Sequence, residues 1–251
     1  MIALVTGGSR GIGRAIAAYL ARQGMTTWLC SQNRERLNQT CQELQAQGLP
    51  VKAQELDVTS AWEVEEVFAK IVAESGRLDV LVTAAGVSGF SDLESDQDMQ
   101  IWQRIISTNL TGTYLCSRAA VLEMRKTGGG RVIHISSVLG LKGIRHSLAY
   151  CAAKHGVVGL TRALAQDVMP WGITVNAVCP GWVRTDMGQQ SMAAIAEHYD
   201  LPPAVFEEEE LRAVPLGRWI EPEEVAEMVG YLISPQAAAV TGQAFEISGG
   251  L

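Results

Sequence analysis

Thr6-Gly-Gly-Ser-Arg-Gly-Ile-Gly13 follows the apolar run Ile2-Ala-Leu-Val5 and leads straight into a segment with apolar residues at helical spacing. The glycines at 7, 11 and 13 permit a tight turn and close approach of the backbone to a ligand. The helix N-terminus behind them favours an anion such as a pyrophosphate. A glycine-rich loop alone is a weak signal. Between the first strand and first helix of a βαβ unit, it reads as a dinucleotide site.

Working outward, β-like runs fall near 2–6, 26–31, 51–55, 78–83, 131–136, 173–178 and 243–247. Helical patterns lie between them near 12–23, 34–47, 60–75, 97–127 and 149–169, followed by a pair around 188–212 and 221–233. Such alternation implies right-handed crossovers and a parallel sheet covered on both faces. The expected fold is α/β: a single doubly wound Rossmann-type domain over residues 1–251, with a seven-stranded parallel sheet. The stretch Asp186–Pro215 breaks the rhythm with Pro202-Pro203 and the acidic run Glu207–Glu210. Ligands of open α/β sheets bind beyond the carboxyl ends of the strands, so a helical substrate lid is expected near 186–215. Glu207–Glu210 read as the solvated face of that lid.

Hydrophobic residues make up 47% of the 251 residues and charged ones 19%, which excludes a disordered chain. A net charge of −7 argues against nucleic acid as a partner, and no apolar stretch reaches the length of a membrane span. A strand starting at Ile2 leaves no room for a signal peptide, and five scattered cysteines suit reduced thiols, so a cytoplasmic location is expected. The four histidines show no metal-ligand spacing, and no metal is expected. His134, inside a strand pattern, reads as a satisfied core residue.

Tyr150 and Lys154 stand four apart on a predicted helix and so share one face, with Ser137 at the end of the run Arg131-Val-Ile-His-Ile-Ser-Ser137. A free tyrosine has a pKa of about 10 and is a poor proton donor or acceptor near neutrality. A neighbouring ammonium is expected to lower that pKa towards the useful range, and a serine hydroxyl can hold an oxygen where charge develops. For the cofactor, an NAD site places Asp or Glu at the end of the second strand, but this chain reads Cys30-Ser-Gln-Asn-Arg34 there. Ser31, Arg10 and Arg34 instead suit a 2′-phosphate, so NADP(H) is expected.

With these residues in place, the chain resembles the short-chain dehydrogenase/reductase family over essentially its whole length. The resemblance implies that Gly7, Ser9, Arg10, Gly11, Ile12 and Gly13 form the cofactor loop, and that Asp57 and Val58 contact the adenine. It implies that Ala84, Ala85 and Gly86 lie along the cofactor after strand four. Asn109 is then the helix asparagine of a proton relay, holding a water. Ser137, Tyr150 and Lys154 are the catalytic trio, with the last two also on the cofactor, and Pro180, Gly181, Val183 and Thr185 hold the nicotinamide carboxamide. One departure is plain: Thr83 stands where the family usually has asparagine, which keeps a hydroxyl but loses the amide.

Within the family the chain is similar to aromatic-polyketide ketoreductases, relatives of the 3-oxoacyl-carrier-protein reductases, through Lys154–Leu160, Val178–Gly181, Glu197–Tyr199 and Val225–Val229. The pocket is expected to include Leu139, Arg145 and His146. The implied substrate is a ketone or alcohol, or an acyl thioester that a carrier protein could present, and the implied assembly is a homotetramer. A D-3-hydroxybutyrate dehydrogenase shares Cys179–Thr185, but its pocket histidine and lysine would fall at Leu139 and His146. A dinucleotide-binding regulator without catalysis is the third reading, and the intact catalytic set speaks against it.

Overall fold

The computed structural model describes residues 1–251. Its strands are β1 (Ile2–Thr6), β2 (Thr26–Ser31), β3 (Val51–Glu55), β4 (Val80–Thr83), β5 (Gly130–Ile135), β6 (Ile173–Pro180) and β7 (Ala244–Ile247). All pair in parallel, in the order β3-β2-β1-β4-β5-β6-β7. β4 and β6 are buried along their whole length, as strands covered on both faces must be. One face packs against α1 (Gly11–Arg22), α2 (Arg34–Ala46) and α9 (Pro222–Ile233), through Ile16, Leu20, Leu37 and Val229. The other packs against α3 (Ala61–Ser75), α5 (Gly112–Thr127) and α6 (Leu148–Val168), through Phe68, Ile71, Met124 and Val168.

The chain order reverses between β1 and β4, where a crevice for a ligand is expected. Gly7 sits at that point with φ +67°, and a Cβ there would come within 2.7 Å of the Ala84 carbonyl oxygen. Any other residue would push the two strand ends apart.

The predicted helix over 97–127 is interrupted. It consists of α4 (Asp98–Ile105), a π-helical turn over Ile106–Thr111, and α5. The cause is Asn109, whose amide leaves the helix: Val87 N–H donates to its Oδ1 at 2.8 Å and its Nδ2 donates to the Val87 carbonyl at 2.9 Å. A widened turn presents such a side chain without ending the helix. The expected strand ends at 78 and 136 fall at Val80 and Ile135, so Ser137 lies just beyond β5 rather than within it. Over the carboxyl ends of the sheet, α7 (Asp186–His198) and α8 (Pro203–Ala213) pack together through Met192, Ala196 and Phe206 onto Trp219.

Candidate active site

Two cavities meet above the crevice and share Thr185, which caps α7, and Met187 in its first turn. The larger, about 520 Å³, is lined by Gly7, Ser9, Arg10, Gly11, Ile12 and Gly13 of the loop between β1 and α1. Ser31 at the end of β2, Asp57 and Val58 beyond β3, and Ala84, Ala85 and Gly86 beyond β4 complete most of its wall. No side chain caps the N-terminus of α1, so its first amides face this space. Ser9 Oγ donates to Ser31 Oγ at 2.9 Å, tying the glycine loop to the end of β2. Asp57 accepts from Gln32 Nε2 at 2.9 Å and from the Thr59 hydroxyl at 2.7 Å, which holds its carboxylate at the rim. The open helix end, the glycine cradle and the lack of a carboxylate on Ser31 fit a dinucleotide carrying an extra phosphate.

Arg34, expected at this site, begins α2 and does not line the cavity; Arg36 does. Asn33 caps the helix by accepting from Arg36 N–H at 2.9 Å, and the helical turn then carries the second arginine, not the first, over the cleft. Sequence spacing gave no sign of this, because only the cap fixes the helix phase. Arg10 pairs with Asp186 at 3.8 Å, both largely exposed, a contact worth little. Gln32 and Arg104 also line the cleft and were missed from the sequence.

The smaller cavity, about 310 Å³, is lined by Ser137, Leu139, His146 and Tyr150 together with Gly181, Val183 and residues of α7. Ser137 Oγ accepts from Leu139 N–H at 3.1 Å, which orients the oxygen and leaves its own proton to donate. Tyr150 stands on the first turn of α6 beside it. One turn on, Lys154 is buried, with Nζ donating to the Ile135 carbonyl at 2.8 Å and lying 5.6 Å from the Tyr150 ring centroid. A Cβ built on Gly86 would lie 3.9 Å from this ammonium, so Lys154 lies behind the cleft wall at Gly86 and lines neither cavity itself.

The electrostatics differ from expectation. Burial pushes Tyr150 up to about 12, against an opposing interaction with the Ser137 hydroxyl, rather than down. Burial also pushes Lys154 down to about 8. Loss of water disfavours the charged form of each. Near neutral pH the phenol therefore carries its proton, the state needed to give one away.

Three further expectations are corrected. Arg145 is exposed and does not line the pocket, where Lys142, Ile144 and His146 do. His146 takes φ 57° and stacks on Phe90 at 4.5 Å, which turns its neighbour Arg145 outward. Pro180 ends β6 buried, and the cavity wall starts at Gly181. The Asn109 amide pairs with Val87 through its oxygen and one N–H, and its second N–H and second oxygen lone pair are not taken up by that pairing. The run Glu207–Glu210 is no uniform solvated face: Trp219 Nε1 donates to Glu207 at 2.7 Å and Trp182 Nε1 to Glu210 at 3.2 Å. Sequence periodicity could not reveal this, since the indoles come from distant segments.

Two buried polar groups complete the surroundings. Thr83 Oγ1, at the position of the departure from asparagine, has no hydrogen-bond partner. His134, fully buried in β5, reaches Ser117 Oγ and Thr161 Oγ1, each at 2.8 Å. The structure has no group of three or more His, Cys, Asp or Glu side chains suited to a metal, and no helix long and apolar enough to cross a membrane.

A family model described as short chain dehydrogenase matches residues 1–196. A protein of Streptomyces coelicolor, provisionally named a ketoacyl reductase, is 41% identical over 256 residues, covering 100% of this chain and 96% of its own. A 3-oxoacyl-[acyl-carrier-protein] reductase of Synechocystis is 37% identical over 252 residues, covering 100% and 96%. Among solved structures, a variant of actinorhodin polyketide ketoreductase with NADPH superposes at a TM-score of 0.95. It is 39% identical, and the match covers 100% of this chain and 96% of that one. The chain belongs to the short-chain dehydrogenase family, and it is an oxidoreductase of that family.

Proposed function

We propose that the protein is an NADPH-dependent reductase that turns the ketone of a 3-oxoacyl or polyketide-like thioester into a secondary alcohol. The observation that carries this reading is the junction of the two cavities, with Ser137 and Tyr150 lining the one and the glycine loop the other. The names of its relatives, two reductases of 3-oxoacyl or ketoacyl groups and a ketoreductase solved with NADPH, support the same substrate class and cofactor.

The glycine loop, Ser31, Arg36, Asp57 and Val58 would hold NADPH, which would supply the hydride for the carbonyl carbon. Ser137 donates a hydrogen bond to the carbonyl oxygen and stabilises the charge growing there. Tyr150 gives its proton to that oxygen, so one hydride and one proton convert C=O to CH–OH. Lys154 stabilises the phenolate left behind and holds the ribose side of the cleft. Asn109 acts by clamping Val87, which fixes the strand end beside Gly86. Gly181, Val183 and Thr185 hold the nicotinamide end. α7 and α8 form the lid over residues 186–215. A carrier protein can present the substrate at Lys142, a cytoplasmic setting suits the free thiols, and the exposed Trp102, Tyr114 and Leu148 suit burial in a homotetramer.

Tyr150→Phe tests the reading. With NADPH and an acetoacetyl thioester, kcat is expected to fall by about 100-fold or more while NADPH still binds. Wild-type turnover in this variant would overturn the proton-donor role.

A further inference from the structure

Glu210 is the one side-chain carboxylate on the wall of the substrate cavity. It reaches that wall from α8, and its Oε2 accepts from the Trp182 indole at 3.2 Å. One turn earlier, Glu207 accepts from Trp219 at 2.7 Å. The two indoles lie edge to face with centroids 6.0 Å apart, and Ile220 N–H donates to the Trp182 carbonyl at 2.8 Å, so they form one fixed base. α8 is therefore fastened at two points, and the second carboxylate cannot swing out of the cavity without giving up its partner. Neither Glu210 nor Lys142, the cation of the same cavity, takes part in a salt bridge. Glu210 is half-buried while Lys142 is exposed. Water screens the lysine more, so the carboxylate acts on a bound substrate with less screening than the lysine does.

We infer that Glu210 is a specificity-determining residue that excludes substrates bearing a negative charge close to the ketone. The protein takes an uncharged acyl chain, as in an ester, thioester or neutral ketone, and discriminates against the free 3-oxo acid. Any charge on a carrier stays outside the cavity. This rests on the reductase reading above and narrows its substrate class.

The test compares three substrates with one ketone and different charge: acetoacetate, ethyl acetoacetate and dimethylaminoethyl acetoacetate, each with NADPH and the full chain. In the wild type, both esters are expected to show a higher kcat/KM than the acid, with the cationic ester at least equal to the neutral one. Glu210→Gln keeps an acceptor for the indole and removes the charge. It is expected to raise the ratio of acetoacetate to ethyl acetoacetate by about tenfold. An unchanged ratio in a folded Glu210→Gln protein, or a wild type that prefers the acid, overturns the inference. If the variant does not fold, the wild-type order of the three substrates decides alone. Failure of all three, and of an acetoacetyl thioester, is a separate result that overturns the reductase reading itself.

Discussion

A 2′-phosphate carries charge that only a correctly aimed cation can use, and two arginines two residues apart on α2 compete for that task. Asn33 sets the helix phase so that Arg36 lines the cofactor cleft and Arg34 does not. A charge-assisted hydrogen bond contributes about 1.5–3 kcal/mol. Arg36→Gln is therefore expected to lower the preference for NADPH over NADH, as a ratio of kcat/KM, by about tenfold or more. Arg34→Gln should shift the ratio by less than about threefold, since exposed charges away from the ligand are screened. Equal effects of the two substitutions would show that the cap does not decide which arginine serves. At the same scale, burial keeps Tyr150 protonated, its pKa lying near about 12, so proton donation needs no prior ionisation of the site.

Helices α5 and α6, on one face of the sheet, are joined by one side chain of β5. His134 Nε2 meets Ser117 Oγ and Nδ1 meets Thr161 Oγ1, each at 2.8 Å. Each hydroxyl also reaches a helix carbonyl four residues back, Thr113 at 2.7 Å and Val157 at 2.8 Å. Burial pushes His134 down to about 3, so the ring is neutral and carries one proton. One ring proton and one from each hydroxyl serve four contacts, so in either tautomer one helix carbonyl goes without its hydroxyl. α6 carries Tyr150 and Lys154, and the Thr113 hydroxyl bonds the Asn109 carbonyl at 2.8 Å, so this bridge ties the catalytic elements together. His134→Leu removes both ring contacts and should destabilise the protein by about 1–3 kcal/mol, measured by urea unfolding. A neutral or stabilising result would mean that the apolar replacement offsets the lost bridge.

For the molecule as a whole, the same histidine predicts a pH dependence. Its folded pKa, about 3, lies below the unfolded value of 6.5, so the unfolded chain binds the extra proton between these limits. Its stabilising share is present in full above 6.5 and is lost as pH falls towards 3. Between pH 7 and 5 the loss should approach about 2 kcal/mol, at about 1.4 kcal/mol per pH unit below 6.5. Glu224, held down to about 2 by Arg218, is lost only below its usual carboxylate range and does not enter this window. Urea midpoints of wild type and His134→Leu at the two pH values check the assignment. The variant should show the smaller change, and equal changes would place the titration elsewhere.

Alternation of apolar runs with helical spacing was enough to read the seven-stranded α/β architecture, because period and length are local properties that packing did not override. The glycine loop, the Tyr150/Lys154 pair and Ser137 were legible for the same reason: each is a short motif whose spacing fixes a shared face or a strand end. The expected cofactor residues from Gly7 to Gly13 do line one cleft. What depended on side chains meeting across the fold was not legible. Helix phase after Asn33 selected Arg36, a left-handed His146 turned Arg145 away, and two distant indoles drew Glu207 and Glu210 out of a supposed solvated face. The pKa of Tyr150 belongs to the same class: the sequence by itself determined that a lysine stands one turn away, and only the tertiary structure decided that burial outweighs it. Motif spacing is written along the chain, whereas desolvation and hydrogen-bond partnership depend on which remote groups the fold packs around a residue.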